Sequence, residues 1–314
     1  IVKERDFTYV KLGGRYHEEF HPEAFLKVGY ANIGGTGNEL SLYSRFSERR
    51  KVFQAQMRAD RIFRTMATYN IRVYYRNDKV GVFTGEKRIG HRTDKRWGAR
   101  VAVGQQLARF GLLDVTARYE NISYSLPGEE LKTRHRVASL QFNLRYDTKD
   151  RCTFPTSGGA SAFFFEIASD LLGADEVFKK MEGYVENYQN LMGKICFHPR
   201  IAIGISQVGL PIYCRFYLGG TRSFIGYRPD QLTGDKYFVT NLELRLGPIY
   251  HFYLSGRYDM GEVFNYFEQL RFKWLRHTFG FTLALDTPLG PFSFSYGRAE
   301  NKYDNLYLNI GYDF

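Results

Sequence analysis

Long apolar runs are missing from this chain. No uninterrupted hydrophobic stretch reaches the roughly 20 residues that a membrane-spanning helix needs, which excludes a helical membrane protein. A barrel stays open, because its spanning strands need only about 9–11 alternating residues. Cysteine is scarce: Cys152, Cys196 and Cys214 are an odd number at wide spacing, neither a disulfide framework nor a zinc site. Signals of catalysis are also lacking. There is no Gly-x-Ser-x-Gly nucleophile elbow and no setting for a serine–aspartate dyad. Gly34-Gly35-Thr36-Gly37 has no Lys-Ser/Thr after it, so it reads as a turn and not as a phosphate loop. The seven histidines, His17, His21, His91, His135, His198, His251 and His277, fall at spacings that form no metal cluster. The sequence therefore predicts no catalytic residue, no metal and no cofactor. No signal peptide opens it, and Ile1 is not an initiator, so it reads as a processed product or a fragment.

Aromatic residues are abundant. The 314 residues include 24 tyrosines and 27 phenylalanines, which suits sheets and aromatic girdles. Lys and Arg number 44 against 33 Asp and Glu, a net charge of +11. Two readings of that excess stand: a solvated charged surface, or a basic rim meeting anionic lipid headgroups or lipopolysaccharide. Nucleic acid is disfavoured, since the basic residues are spread over many segments and form no single stripe.

Apolar and polar residues alternate with a period of two, which puts one row of side chains on each side of a strand. Leu242, Leu244 and Leu246 alternate with Asn241, Glu243 and Arg245. The chain closes with Leu306, Leu308, Ile310, Tyr312 and Phe314 on one face, against Tyr307, Asn309, Gly311 and Asp313 on the other. Similar patterns begin at Phe7–Arg15 and recur throughout, including Val52–Asp60, Trp97–Gly104, Ala160–Ile167, Phe178–Tyr188 and Ile195–Ile205. After an irregular segment at 206–235, five more strands are expected near 236–246, 249–258, 273–285, 291–299 and 304–314. Treating Lys79–Arg88 as the outer part of a long hairpin gives 16 strands, the even number that a barrel with both ends on one side of a membrane requires. Residues 1–6 are charged and read as a link to something upstream; 7–314 read as the barrel domain.

Soluble sandwiches alternate too. The discriminator is the second face, which is Asn, Glu, Arg, Gln and Thr in strand after strand and suits a large polar lumen. Connections alternate between short, as at Gly247-Pro248, and long, as at 206–235 and 259–272, the asymmetry of an outer-membrane barrel. An open edge in hydrocarbon would leave backbone groups unpaired, so the sheet is expected to close. The fold class is all-β: a 16-stranded antiparallel transmembrane β-barrel.

Leu218-Gly219-Gly220-Thr221-Arg222-Ser223-Phe224-Ile225-Gly226-Tyr227 resembles the signature loop of the BamA-like outer-membrane superfamily. Tyr146-Asp147-Thr148 followed by Phe154-Pro155-Thr156-Ser157-Gly158 resembles the turn between strands 8 and 9 of that family. The resemblance covers essentially the whole chain. It implies a 16-stranded barrel whose long sixth extracellular loop, between strands 11 and 12, tucks into the lumen. One position departs: where the insertase branch has Arg before the Gly-aromatic pair, this chain has Ile225. Patatin-like autotransporters, which often have an uncharged residue there, are the better match.

For individual residues, Gly219, Gly220 and Gly226 serve as turn formers or let the loop pass close to the lumen wall. Arg222 is either an exposed charge or the partner of a luminal carboxylate such as Glu243. Asp147, Phe154, Pro155 and Gly158 form a rigid periplasmic turn, with Asp147 accepting backbone hydrogen bonds. Tyr312 and Phe314 fit the aromatic-x-aromatic ending that the outer-membrane assembly machinery reads. Glycines at Gly13, Gly14 and Gly311 hint at a weaker seam between the first and last strands.

The resemblance implies a barrel that anchors, and helps to translocate, an upstream patatin-like phospholipase domain in the same polypeptide. Its implied partners are outer-membrane lipid or lipopolysaccharide, the assembly machinery and a second copy in a homodimer. The alternative is an insertase or translocation factor acting on other proteins. A passive pore and a soluble all-strand binding module are further rivals.

Overall fold

The computed structural model describes residues 7–17, 21–62, 65–85, 87–129, 133–288, 290–300 and 304–311. Strands run β1 Thr8–His17, β2 His21–Ile33, β3 Asn38–Ser47, β4 Arg50–Ala59, β5 Ala67–Thr84 and β6 Lys87–Leu107. They continue with β7 Gly111–Ser125, β8 Thr133–Asp147, β9 Gly158–Ala168, β10 Phe178–Met192 and β11 Ile195–Ser206. Two short strands follow, β12 Phe216–Leu218 and β13 Leu232–Gly234. Last come β14 Lys236–Ile249, β15 Phe252–Phe264, β16 Arg276–Leu285, β17 Phe292–Ala299 and β18 Asp304–Ile310. Sixteen of these form one antiparallel sheet in chain order, and β12 with β13 forms a separate hairpin. Lys79–Arg88 is indeed the outer part of one hairpin, in which Lys79 pairs with Thr93 and Thr84 with Lys87.

The alternation has its expected consequence. Leu242, Leu244 and Leu246 face outward while Asn241 and Arg245 are buried within. On β18, Leu306 and Ile310 are exposed and Tyr307 is 2% exposed. The outer surface is an apolar belt with Phe53, Tyr75, Trp97 and Phe279 among its aromatics. The interior is filled with polar side chains and by the segment 207–235.

The turn expected at Gly247-Pro248 lies further on, at Tyr250 and His251, both with positive φ. Gly247 still donates its amide to the Lys194 carbonyl at 2.9 Å, so the ladder continues. Pro248 sits at the exposed end of β14, where its missing N–H leaves nothing unpaired. Similarly β15 runs to Phe264 and β16 begins at Arg276, so the loop between them is 265–275. Residues 1–6, Tyr312 and Phe314 lie outside the described residues.

β1 and β18 end the sheet order. They lie against each other in space, and among the described residues no ladder joins them. The strands beside this seam are short: β18 has 7 residues, β17 has 8 and β1 has 10, against 21 in β6. At about 3.3 Å per residue, the rise falls from roughly 70 Å along β6 to about 26 Å along β17.

Candidate functional site

The long loop 207–235 enters the lumen and makes both of its apolar cores. Leu210, Tyr213 and Cys214 pack on Ile122, Val137 and Phe178 of the wall. Phe216, Leu218, Phe224, Tyr227 and Leu232 pack on Ala202, Tyr237, Val239 and Ala299. Burial pushes the Cys214 thiol above its ordinary range, partly offset by the Lys180 and Arg118 cations.

Wall cations hold the loop by its backbone carbonyls. Arg92 donates to Ile212 at 3.3 Å and to the Tyr217 hydroxyl at 3.0 Å; Arg96 donates to Tyr213 at 3.0 Å; Lys180 donates to Cys214 at 3.3 Å. Asp94 takes both arginines, at 2.6 Å from Arg92 and 3.0 Å from Arg96. These bonds satisfy loop carbonyls that would otherwise be buried unpaired.

The tip, 219–227, is a closed turn. Gly220 donates to Tyr227 O at 2.8 Å and Phe224 to Gly220 O at 3.1 Å, while the Phe224 and Tyr227 rings stack at 5.3 Å. Gly219 has φ +136°, and a Cβ there would meet the Arg228 carbonyl at 2.0 Å. Gly226 has φ +91° and passes so close to β17 that a Cβ would lie 2.9 Å from the Ala299 amide. Gly219 and Gly220 thus lie close to the loop's own backbone and Pro229, and Gly226 lies close to the wall.

Five side chains that the sequence patterns did not single out hold this tip. Arg257 donates to the carbonyls of Thr221 and Ser223, and to Asp259 at 2.6 Å. Asp259, fully buried, accepts the Ile225 amide at 2.8 Å. Asn241 donates to Ser223 O at 2.8 Å. Asn305 donates to Gly226 O, and Tyr307 on β18 both accepts from the Gly226 amide at 3.0 Å and donates to Tyr227 O at 2.7 Å. Ile225 lies against Gly280 and Gly297, where a Cβ on either would fall within 2.7 Å of it. Luminal glycines inside the strands were the readable signal, since a strand glycine often marks a close backbone approach.

Arg222 is exposed. Glu243, one carboxylate considered for it, faces His198, its register neighbour on β11, at 3.1 Å. A directly opposed cross-strand group reaches the carboxylate without ordering a loop side chain.

The turn 148–157 folds upward into the opposite end of the barrel. Asp147 accepts the Lys149 amide at 3.0 Å. Phe154, at φ +50°, stacks on luminal Tyr253 with centroids 4.1 Å apart. Pro155 is buried and its carbonyl accepts from Arg245. Gly158 has φ +90°, and a Cβ there would meet Thr148 O at 2.2 Å. Burial resists ionisation of Asp150, but donation from the Thr156 hydroxyl and amide and the Ser157 amide, with Arg151 nearby, holds its carboxyl below the usual range. Above this turn Glu186, His198 and Glu243 form a chain, with Tyr188 stacked on His198 at 4.0 Å.

The Omp85 superfamily domain model matches residues 32–314. The chain is 26% identical to the outer membrane protein assembly factor BamA of Nitratidesulfovibrio vulgaris, over 94% of this chain and 39% of that protein. It therefore spans well under half the length of that relative. Its fold is similar to that of BamA from Haemophilus ducreyi lacking POTRA domains 1–3, with a TM-score of 0.85 at 15% identity, covering 98% of this chain and 70% of that one. CdiB from Acinetobacter baumannii is similar at a TM-score of 0.66 and 11% identity, over 97% and 59% of the two chains.

Proposed function

Since this chain belongs to the Omp85 superfamily and is a barrel of the bacterial outer membrane, we propose that it is the membrane domain of a protein insertase or translocation factor of the BamA-like type. One observation carries this reading: β1 and β18 meet without a ladder among the described residues. Unpaired strand edges template the addition of another strand. The short strand β17 beside the seam leaves little apolar height there, and a shorter belt is matched by a thinner bilayer. A client strand arriving at that place meets a free edge and a lowered barrier together. The partners of this reading are outer-membrane lipid, lipopolysaccharide and the assembly machinery.

The test uses the full-length protein in liposomes with an unfolded client barrel, scored by the gel shift of the folded client. The expected result is faster folding than in empty liposomes, abolished by a disulfide placed across β1 and β18 and restored by reductant. Equal client folding with and without the protein, or full activity in the cross-linked barrel, would overturn it.

Ile225 favours a second reading, that of a barrel anchoring a patatin-like phospholipase domain encoded upstream, with a homodimer as its form. An uncharged residue before the Gly-aromatic pair is the pattern of that branch. A Gly-x-Ser-x-Gly element in the gene upstream of Ile1 would support it; periplasmic repeat domains there would remove it.

A further inference from the structure

Three arginines stand side by side on the lumen face of neighbouring strands. Arg72 on β5 is opposed in register by Arg100 on β6, and Arg100 by Arg118 on β7. Like charges directly opposite one another destabilise a ladder, so the row needs counter-charge. Arg118 has it, from Glu166 at 2.8 Å and Glu120 at 3.3 Å. Arg72 and Arg100 make no ion pair among the described residues, although Glu120 lies within electrostatic reach of Arg100. Arg100 lies over the Tyr74 ring at 5.5 Å, and its buried Nε has no hydrogen-bond partner among the described residues. Arg72 makes no ion pair among the described residues and is opposed directly by Arg100.

Nearby carboxylates are already engaged. Asp78 is shared by Arg50, at 3.0 Å, and Arg76. Glu120 serves Arg96 and Arg118 and accepts from Tyr74. Asp114 takes Arg145 at 3.5 Å and accepts from Asn143 at 2.7 Å. Nor does the row fasten the long loop, whose hydrogen bonds run to β6 at Arg92 and Arg96 and to β10, β14, β15 and β18. Space is left beside the row. A cavity of about 250 Å³ is walled by Arg45, Arg50, Arg72, Arg76 and Arg100 with Tyr43 and Tyr74. A second, of about 160 Å³, shares Arg72 and Arg100 with it and is also lined by Arg145 and Asp114.

The geometry points to an oxyanion site in this part of the lumen whose ligand is the carboxylate side chains of an acidic polypeptide segment. A guanidinium presents a planar fork that matches a carboxylate, and bidentate pairs of this kind are the strong charge-assisted bonds. Arg72 and Arg100 alternate with the outward-facing Ile71, Val73 and Val101, so bilayer lipid meets the other face of the same strands. A polypeptide segment that enters the lumen meets the inner face. That choice of ligand rests on the reading of this protein as one that acts on polypeptides.

The test measures fluorescence anisotropy of a labelled glutamate-rich peptide on the full-length protein in nanodiscs. A glutamine counterpart and inorganic phosphate serve as controls, beside the double variant Arg72→Gln/Arg100→Gln. Binding should favour glutamate over glutamine, and the double variant should lose about tenfold or more, the effect of one charge-assisted hydrogen bond. Removing opposed like charges should leave the variant at least as resistant to thermal unfolding as the parent, which separates lost binding from lost fold. Equal affinity for the two peptides, or undiminished binding by the variant, overturns the proposal. Displacement of the peptide by phosphate at equal carboxylate and phosphate concentrations marks a small-anion site and overturns the polypeptide assignment. The measurement needs no client insertion, so failure of the insertase reading in liposomes and failure of this site are read separately.

Discussion

The hydroxyl of Tyr307 and the amide of Gly226 meet at 3.0 Å, joining the strand at the seam to the tip of the loop that fills the lumen. The same hydroxyl donates to Tyr227 O at 2.7 Å. Tyr307→Phe should therefore leave a buried N–H without its acceptor and a buried carbonyl with one bond fewer. The expected cost is about 1–3 kcal/mol, seen as a lower denaturation midpoint and faster proteolysis between 219 and 227. An unchanged midpoint and cleavage pattern would contradict the arrangement.

Arg257 and Asp259 lie two apart on β15, and Asp259 is completely enclosed. Asp259→Ala strands the guanidinium beside two loop carbonyls and removes the acceptor of the Ile225 amide. Breaking one side of a buried pair costs about 3–5 kcal/mol. The double change Arg257→Met with Asp259→Leu should cost less than the single one, and a double-mutant cycle on denaturation midpoints gives the comparison.

Gly297 leaves room for the tip: a Cβ there would fall 2.5 Å from the Gly226 amide. With the loop seated, the barrel should conduct ions poorly in planar bilayers. Gly297→Leu should push the tip off β17 and raise the single-channel conductance several-fold. High conductance in the unaltered protein would contradict a seated loop.

Asp150 gives the turn 148–157 a pH dependence. Its folded carboxyl titrates below the ordinary aspartate value, so the stabilisation it provides is fully present above the unfolded value and is lost as pH falls through the folded one. Proteolysis of the turn by an acid-tolerant protease should rise only in strongly acidic buffer, and Asp150→Asn should show the acid-like cleavage at neutral pH. No change in that variant would show that the hydrogen bonds from Thr156 and Ser157 do not shape the turn.

Spin labels on successive positions of β14 should alternate in oxygen and water accessibility, with Leu242, Leu244 and Leu246 in hydrocarbon and Asn241, Glu243 and Arg245 facing the wet interior. Equal accessibility of both rows would remove the membrane placement.

Strand identity was readable because a two-residue period is a local property, visible in Leu242–Leu246 and again in Leu306–Ile310 without any knowledge of partners. The loop was readable for a similar reason, since Gly219, Gly220 and Gly226 sit in one short stretch. What held it was not. Arg257 and Thr221 are 36 residues apart, and Gly226 and Tyr307 are 81 apart. Nothing in the spacing of polar residues along β15 separates an arginine that fastens a loop from one that faces water. The Glu243–His198 contact was hidden on the same ground: the two are distant in sequence and adjacent only once the sheet has formed.

Both obstructions in the barrel hang from one hairpin. Arg245 grips the turn that rises from below, while Asn241, Arg257 and Asp259 grip the tip that descends from above. A polypeptide driven along the axis would have to dislodge two stoppers moored to β14 and β15, whereas one that joins sideways between β1 and β18 meets only the ties that Asn305 and Tyr307 make to the tip. The architecture makes the flank the easy door and the bore the hard one.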